Sequence, residues 1–354
     1  MPPPDHADES LHCPLPFPEE ERITLGHGSG GILTAQLLEN GVFRLLDNPL
    51  LARRHDGAIL PPSAAELAFT TDSFVVSPLF FPGGDIGSLA VHGTVNDLAM
   101  CGAIPEYLSL AFILEEGLPI RTFYKVLESI RTAAHRAGVQ LVTGDTKVVE
   151  RGKGDQLFVN TSGVGRLHPR AAIHAGRVRP GDAVLLSGPV ASHGMAILSV
   201  RDGLAFESDI LSDSASLAAT VRALLDRYGN DVHFLRDPTR GGLATALSEL
   251  AGSRQVGIRL QESAIPILPP VAAACELLGL DPLFVANEGV FLAVVPAGVA
   301  ADCCAFLRTL PHAAAAEVVG EIMADHPGRL LLQTRTGGTR VVHPPVGEQL
   351  PRIC

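Results

Sequence analysis

Tryptophan is absent from the 354 residues and aromatic side chains reach only 5%, too few for the stacking platforms that hold single-stranded nucleic acid. Positive charge is scarce: 38 acidic residues face 27 Lys and Arg, giving a net charge of −11, and no basic stripe interrupts the excess. A phosphate backbone would be repelled, which argues against DNA and RNA as partners. A nucleotide stays open, because magnesium can bridge its phosphates to carboxylates. No run approaches the ~20 apolar residues that cross a bilayer. The first twenty residues lack both the basic start and the apolar core of a targeting signal. Six cysteines (Cys13, Cys101, Cys275, Cys303, Cys304, Cys354) form no CxxC pair, which disfavours zinc, and a chain this long needs no disulfides. The expectation is a cytoplasmic protein with free thiols and no membrane contact.

What is present suits a globular fold: 46% hydrophobic and 18% charged residues, with 36 Gly and 27 Pro to make turns. Length allows two domains, each with its own core. Residues 1–20 read as a flexible extension. Between 21 and 167, strands are expected at 66–71, 108–114, 139–143 and 157–164, with helices at 86–101 and 120–137. A cluster of Pro169, Gly176, Pro180 and Gly181 marks a boundary. The second domain, 168–335, restarts the pattern. Strands are expected at 182–187, 257–260 and 289–295, and helices at 194–200, 214–228, 242–251, 270–278 and 300–310. This alternation implies a layered α/β or α+β structure. From 336 to 354 the pattern dissolves into a tail of nineteen residues, which reaches roughly 60 Å if extended.

Four constellations carry chemistry. Gly26-His27-Gly28-Ser29-Gly30-Gly31 precedes a helix-like stretch, where backbone N–H groups can close around an anion. No Gly-Lys-Ser/Thr follows, so it is not a Walker A loop, and a plain tight turn fits as well. Aspartates stand at turns and expected strand ends: Asp56, Asp72, Asp97 (after Asn96), Asp145 and Asp237. Such positions handle magnesium and phosphate, although each Asp alone also suits a cap or turn. Asp97, on an otherwise small and apolar helix, needs a partner. Lys147, two residues beyond Asp145, can offset charge on a transferred phosphate. Glu288, in an apolar stretch, is expected to have a raised pKa suited to proton abstraction. A structural salt bridge between domains is the alternative for this pair. Last, Cys354 is the final residue: a thiol on an arm can be loaded at one site and presented at another, or have no role.

Several segments in order resemble the HypE family of hydrogenase maturation proteins, within the AIR-synthetase-like (PurM-like) superfamily. They are the 26–31 loop, Thr70-Thr71-Asp72-Ser73, Phe80-Phe81-Pro82-Gly83-Gly84, Asn96-Asp97, residues 112–119, and Thr143-Gly144-Asp145-Thr146-Lys147. Arg236-Asp237-Pro238-Thr239-Arg240-Gly241-Gly242, Asn287-Glu288-Gly289 and the terminal Pro351-Arg352-Ile353-Cys354 complete the set.

The resemblance implies a two-domain α+β subunit whose N-terminal half pairs in a homodimer, with ATP near the interface. It also implies that the carbamoyltransferase HypF loads Cys354 with a carbamoyl group, and that ATP drives its dehydration to a thiocyanate. The cyano group then passes to iron on a HypC–HypD scaffold. By resemblance, Asp56, Asp72, Asp97 and Asp237 are assigned to magnesium, with Asp145 and Asn96 as second choices. Gly26, Gly28, Ser29, Gly30 and Gly31 cover the triphosphate. Lys147 and Glu288 flank the thiocarboxamide on Cys354. A related synthase or kinase acting on a free small molecule, and a nucleotide-sensing scaffold, are the competing expectations. The superfamily often has paired acids where this chain has His55-Asp56, which leaves the number of magnesium ions open.

Overall fold

The computed structural model describes residues 22–29, 31–53, 58–201, 203, 210–343 and 352–354. The 1–20 extension, Gly30, Asp56 and most of the 336–354 stretch after His343 lie outside the described residues.

The first half begins with a short helix α1 (Ile32–Leu37), strand β1 (Leu67–Phe74) and a two-residue hairpin, β2 (Phe80–Phe81) and β3 (Gly84–Asp85). Then follow α2 (Ile86–Met100), β4 (Ala103–Glu115), α3 (Ile120–Ala137), β5 (Gln140–Val149) and β6 (Leu157–Leu167). The sheet order is β1-β6-β4-β5, antiparallel except for the parallel β4–β5 pair that α3 connects. Asp85 starts α2 by accepting from Gly87 N (2.7 Å) and Ser88 N (3.1 Å), satisfying donors that have no intrahelical partner. Its second oxygen accepts from Ser129 Oγ on α3 at 2.6 Å, so one carboxylate caps one helix and ties it to the next. Helix α3 buries Phe123, Tyr124, Val126, Leu127 and Ile130, and stops where Gly138 turns left-handed at φ +73°. Helix α2 is buried everywhere except at Ser88, His92 and Asp97, because it lies between the sheet and the second half of the chain.

Among the described residues, helices cover only one face of this sheet. On the other, Leu67, Phe69 and Ile113 remain 56%, 70% and 44% exposed. Cross-strand partners share a face, so the rows Ser73–Asn160–Ala111–Asp145 and Phe158–Ile113–Lys147 lie with them on the open side.

The second half comprises β7 (Asp182–Leu186), α4 (Ser192–Arg201), α5 (Ala218–Tyr228), β8 (Phe234–Arg236), α6 (Gly242–Arg254) and β9 (Gly257–Gln261). It continues with α7 (Pro269–Leu278), β10 (Leu292–Pro296), α8 (Ala297–Leu307), β11 (Glu317–Met323), β12 (Leu330–Gln333) and β13 (Thr339–Val342). Seven strands order as β13-β12-β9-β11-β7-β10-β8. Side chains of β7 and β10 alternate between two cores, one with α6 and one with α5 and α8. Burial on both faces explains why these strands read as continuous apolar runs.

Three expectations change. Strand β1 continues past Asp72 to Phe74, and β5 continues past Thr143 to Val149, so Asp72, Asp145 and Lys147 lie within strands rather than at their ends. Residues 339–342, expected in the tail, are β13, paired antiparallel with β12.

Phe123, fully buried, meets Phe112 and Tyr124 edge-on at 5.1 and 6.4 Å. Phe123→Ala is expected to destabilise the first half by about 3–5 kcal/mol, read as a lowered urea midpoint in circular dichroism.

Candidate active site

Where α2 meets the second half, five carboxyl groups share one neighbourhood. Asp72 comes from β1, Asp97 from α2, Asp237 from the turn after β8, and Glu288 from the loop before β10. Asp213, from the segment before α5, was not anticipated. Burial raises Asp72 and Asp97 above the usual carboxylate range, and the proximity of Asp97 raises Asp72 further. Thr70 Oγ1 donates to Asp97 Oδ2 at 2.7 Å, supplying the partner this carboxylate needs. Burial, then the charge of Asp97, pushes Asp237 to about 7. Glu288 is raised well above its ordinary value by burial first, then by Asp237, Asp213, Asp72 and Asp97. Arg240 and Arg236 pull in the opposite direction, Arg240 on Asp72 and Asp97, and Arg236 on Asp97 and Asp237.

Desolvated acids that repel one another are what a divalent cation relieves, and the Asp213 Oδ1 atom is buried with no hydrogen-bond partner among the described residues. No three His, Cys, Asp or Glu side chains among those residues form a complete metal cage. Magnesium fits this donor set through one or two carboxylates, with water and substrate phosphates completing its shell.

Asn96, a second choice for magnesium, has its buried amide bonded to backbone groups of the second half. Its Nδ2 donates to Ala215 O (2.9 Å) and Glu288 O (3.2 Å), and its Oδ1 accepts from Leu217 N (2.8 Å). This buried amide spans the seam between the halves.

Lys147 and Asp145 lie elsewhere. They pair with each other at 2.9 Å, both exposed, and Lys147 holds the Asp145 carboxyl below its usual range. Asp72 faces α2 at the β1 edge; Lys147 faces the open side at the β5 edge, three strand spacings or roughly 14 Å across the sheet. Within one chain, the expected pairing of Lys147 with Glu288 is therefore not assembled. Lys147 instead lines a cavity of about 240 Å³ with Gly28, Thr146 and the apolar Leu38, Val42, Phe43, Leu46 and Leu51. The 25–28 turn sits against β5 so closely that a Cβ on Gly28 would lie 2.8 Å from Val148 N. Gly26 O accepts from Ser29 N at 3.4 Å and Ser29 Oγ at 3.0 Å, which curls the turn. Gly31 caps α1 without a side chain.

The chain end is seated at the β1 edge. Val75 N donates to Cys354 O and Ser77 N to Arg352 O, each at 3.3 Å, and Arg352 pairs with Asp155. Ile353 is buried in the core shared by the first sheet and α4, and the half-buried Cys354 packs beside it. The cysteine sits just beyond the strand that carries Asp72.

The AIR synthase related protein N-terminal domain matches residues 54–167, and the C-terminal domain of the same description matches 179–333. The carbamoyl dehydratase HypE of Azotobacter vinelandii is 51% identical over 334 residues, covering 94% of this chain and 97% of that protein. The chain belongs to the HypE family. A crystal structure of the hydrogenase maturation protein HypE in complex with ATP superposes with a TM-score of 0.89 at 47% identity, over 93% of this chain and 99% of that one. One from a HypE–HypF complex gives 0.77 at 41%, over 89% and 100%.

In this HypE-family chain, sequence reasoning missed three polar residues at the seam: the buried His193 and Asn287, and the half-buried Asp213. Asn287 Oδ1 accepts from Ala191 N (2.7 Å), and its Nδ2 donates to Pro238 O (2.8 Å) and Val285 O (3.0 Å), fixing the loop that bears Glu288. Adjacency to Glu288 was the available signal for Asn287; for the other two there was none.

A raised carboxyl pKa means the folded state keeps a proton that the unfolded state loses from about pH 4 upward. Stability conferred by neutral Asp237 therefore declines as pH rises from about 4 to about 7. Without magnesium or nucleotide, Asp237→Asn is expected to raise the melting temperature at pH 8 by several degrees and leave it unchanged at pH 4. Differential scanning fluorimetry at both pH values checks this.

Proposed function

We propose that this protein uses ATP to dehydrate a carbamoyl group carried on the sulfur of its own Cys354, yielding a thiocyanate for the iron of a [NiFe]-hydrogenase. The observation that carries the reading is the seated chain end, whose Cys354 carbonyl accepts from Val75 N, three residues beyond Asp72. Family membership and the ATP complex of a close relative support it.

The reaction must turn an amide oxygen into a leaving group. Attack of the carbamoyl oxygen on the γ-phosphorus forms a C–O–P link and releases ADP. Loss of the two amide protons, with departure of that oxygen as phosphate, leaves S–C≡N. The sum is thiocarboxamide plus ATP giving thiocyanate, ADP and phosphate. Such a transfer asks the protein for position and charge compensation. The apolar end of the Lys147 cavity suits the adenine base, with the 26–31 backbone and Lys147 turned to the phosphates. Asp72, Asp97 and Asp237, with Asp56 as the further expected ligand, would hold magnesium, which neutralises charge on the transferring phosphoryl group. Glu288 would accept an amide proton: its high pKa makes it a base of useful strength once the cation offsets its neighbours.

These two half-sites lie at opposite edges of one sheet. A second copy placed against the open face would bring its β5 edge toward this chain's β1 edge, so the proposal includes a homodimer in which Lys147 serves the partner's tail. HypF loads the thiol in this scheme, and a HypC–HypD complex receives the product in the cytoplasm.

Incubation with HypF, carbamoyl phosphate and ATP should add a carbamoyl mass to the C-terminal peptide that then loses one water; withholding ATP should stop it at the first step. Retention of the full carbamoyl mass with ATP present would leave a scaffold. Cys354→Ala should still bind ATP and form no product, and turnover of a soluble amide by that variant would point to a free substrate. Phe69→Asp is expected to give monomers in analytical ultracentrifugation and to lose dehydration by at least about 100-fold, while keeping the seated tail. A fully active monomer would return Lys147 to its own subunit or remove it from the site.

A further inference from the structure

His193 has no part in the scheme above, yet it is fully buried on α4 and makes polar contacts through both ring nitrogens. Its Nε2 lies 2.9 Å from Ile353 O, and its Nδ1 lies 2.8 Å from Ser212 Oγ. A carbonyl can only accept, so Nε2 carries the proton. Burial lowers this imidazole's pKa to about 4, so near neutral pH Nδ1 accepts from the Ser212 hydroxyl. Ser212 Oγ accepts in turn from Ser214 N at 3.0 Å, and Ser212 N donates to Pro82 O at 2.8 Å. Phe81 packs edge-on against the His193 ring at 5.6 Å, which fixes its plane.

The next residue, Asp213, presses on the loop that bears Glu288. Its Oδ2 accepts from Glu288 N at 3.2 Å and Gly289 N at 3.0 Å. Its own carbonyl approaches so closely that a Cβ on Gly289 would lie 1.7 Å from it. A shift of the 212–213 turn therefore cannot leave Glu288 where it is.

We propose that His193 is a positioning residue that latches the docked tail, and that Ser212 and Asp213 pass the seating of Ile353 to Glu288. The latch reads the backbone of residue 353, so it acts on a loaded or an unloaded cysteine. With the tail withdrawn, His193 loses the acceptor for its Nε2 proton inside an apolar pocket, and the Ser212–Asp213 turn loses one of its anchors. Glu288 is then held most firmly when the substrate arm is seated, which guards ATP against futile cleavage.

This inference rests on the docked tail of the preceding section but not on its chemistry. Both measurements are made on the full-length protein without ATP or a carbamoyl donor, so their failure is distinct from failure of the dehydratase reading. The first is the rate at which iodoacetamide alkylates Cys354, read by mass spectrometry of the C-terminal peptide. His193→Phe keeps the ring packing without the donor and is expected to alkylate about tenfold faster, the factor for one lost hydrogen bond. His193→Gln restores a donor and is expected to stay within about twofold of the parent. The second is amide hydrogen exchange of the peptide spanning 287–290, which should quicken in His193→Phe and not in His193→Gln. Ser212→Ala repeats both measurements if His193→Phe does not fold, with the same direction expected. Unchanged alkylation in His193→Phe overturns the latch; faster alkylation with unchanged exchange at 287–290 overturns the relay to Glu288.

Discussion

One buried amide, Asn96, sets the geometry on which the rest of the seam depends. It bonds at once to Ala215 O, Leu217 N and Glu288 O, so α2 of the first half is keyed to two segments of the second. An unpaired amide would cost about 1–3 kcal/mol at such a site, and this favours one docking of the halves over sliding alternatives. Asp97 follows in sequence, so the same key that aligns the halves presents a carboxylate toward Asp72 and Asp237. Acid cluster and domain seam are one construction.

The fold places those acids at an electrostatic cost. Five carboxyls are desolvated together, and Arg236 is already engaged with Glu249. A cation bound there, as proposed, would regain what the cluster loses by burial and so couple binding to the closeness of the two halves.

Much of this was legible in the chain. The order of motifs around Asp72, Asp97, Asp237 and Glu288, with Cys354 last, pointed to the family and to the acids that meet at the seam. Helix α3 read true from Ile120 to Ala137 because its apolar period is strong and Gly138 ends it. Strand β5 read short because Gly144-Asp145 looks like a turn; it persists as an edge strand on whose open face polar side chains cost nothing in one subunit. The last strands were lost because β11 changes register between Val318 and Gly320, which interrupts alternation, and β13 is exposed along most of its length. Nothing in the local sequence singled out Asp213. Its carboxylate is enclosed only when residue 212 docks on Pro82, a contact between segments 130 positions apart that no local pattern carries. The separation of Lys147 from Glu288 was equally hidden, since proximity to motifs in sequence says nothing about which face of a sheet a residue occupies.

Strand β13 anchors the terminal arm at Val342, ten peptide steps before Arg352. That tether cannot exceed roughly 35 Å, which confines the thiol to a volume where its local concentration is on the order of millimolar. If Cys354 carries the reacting group as proposed, saturation by substrate has no meaning in its usual sense. Each molecule would meet one acceptor group whatever the cellular protein level, and throughput would be governed by how fast the arm is charged and discharged.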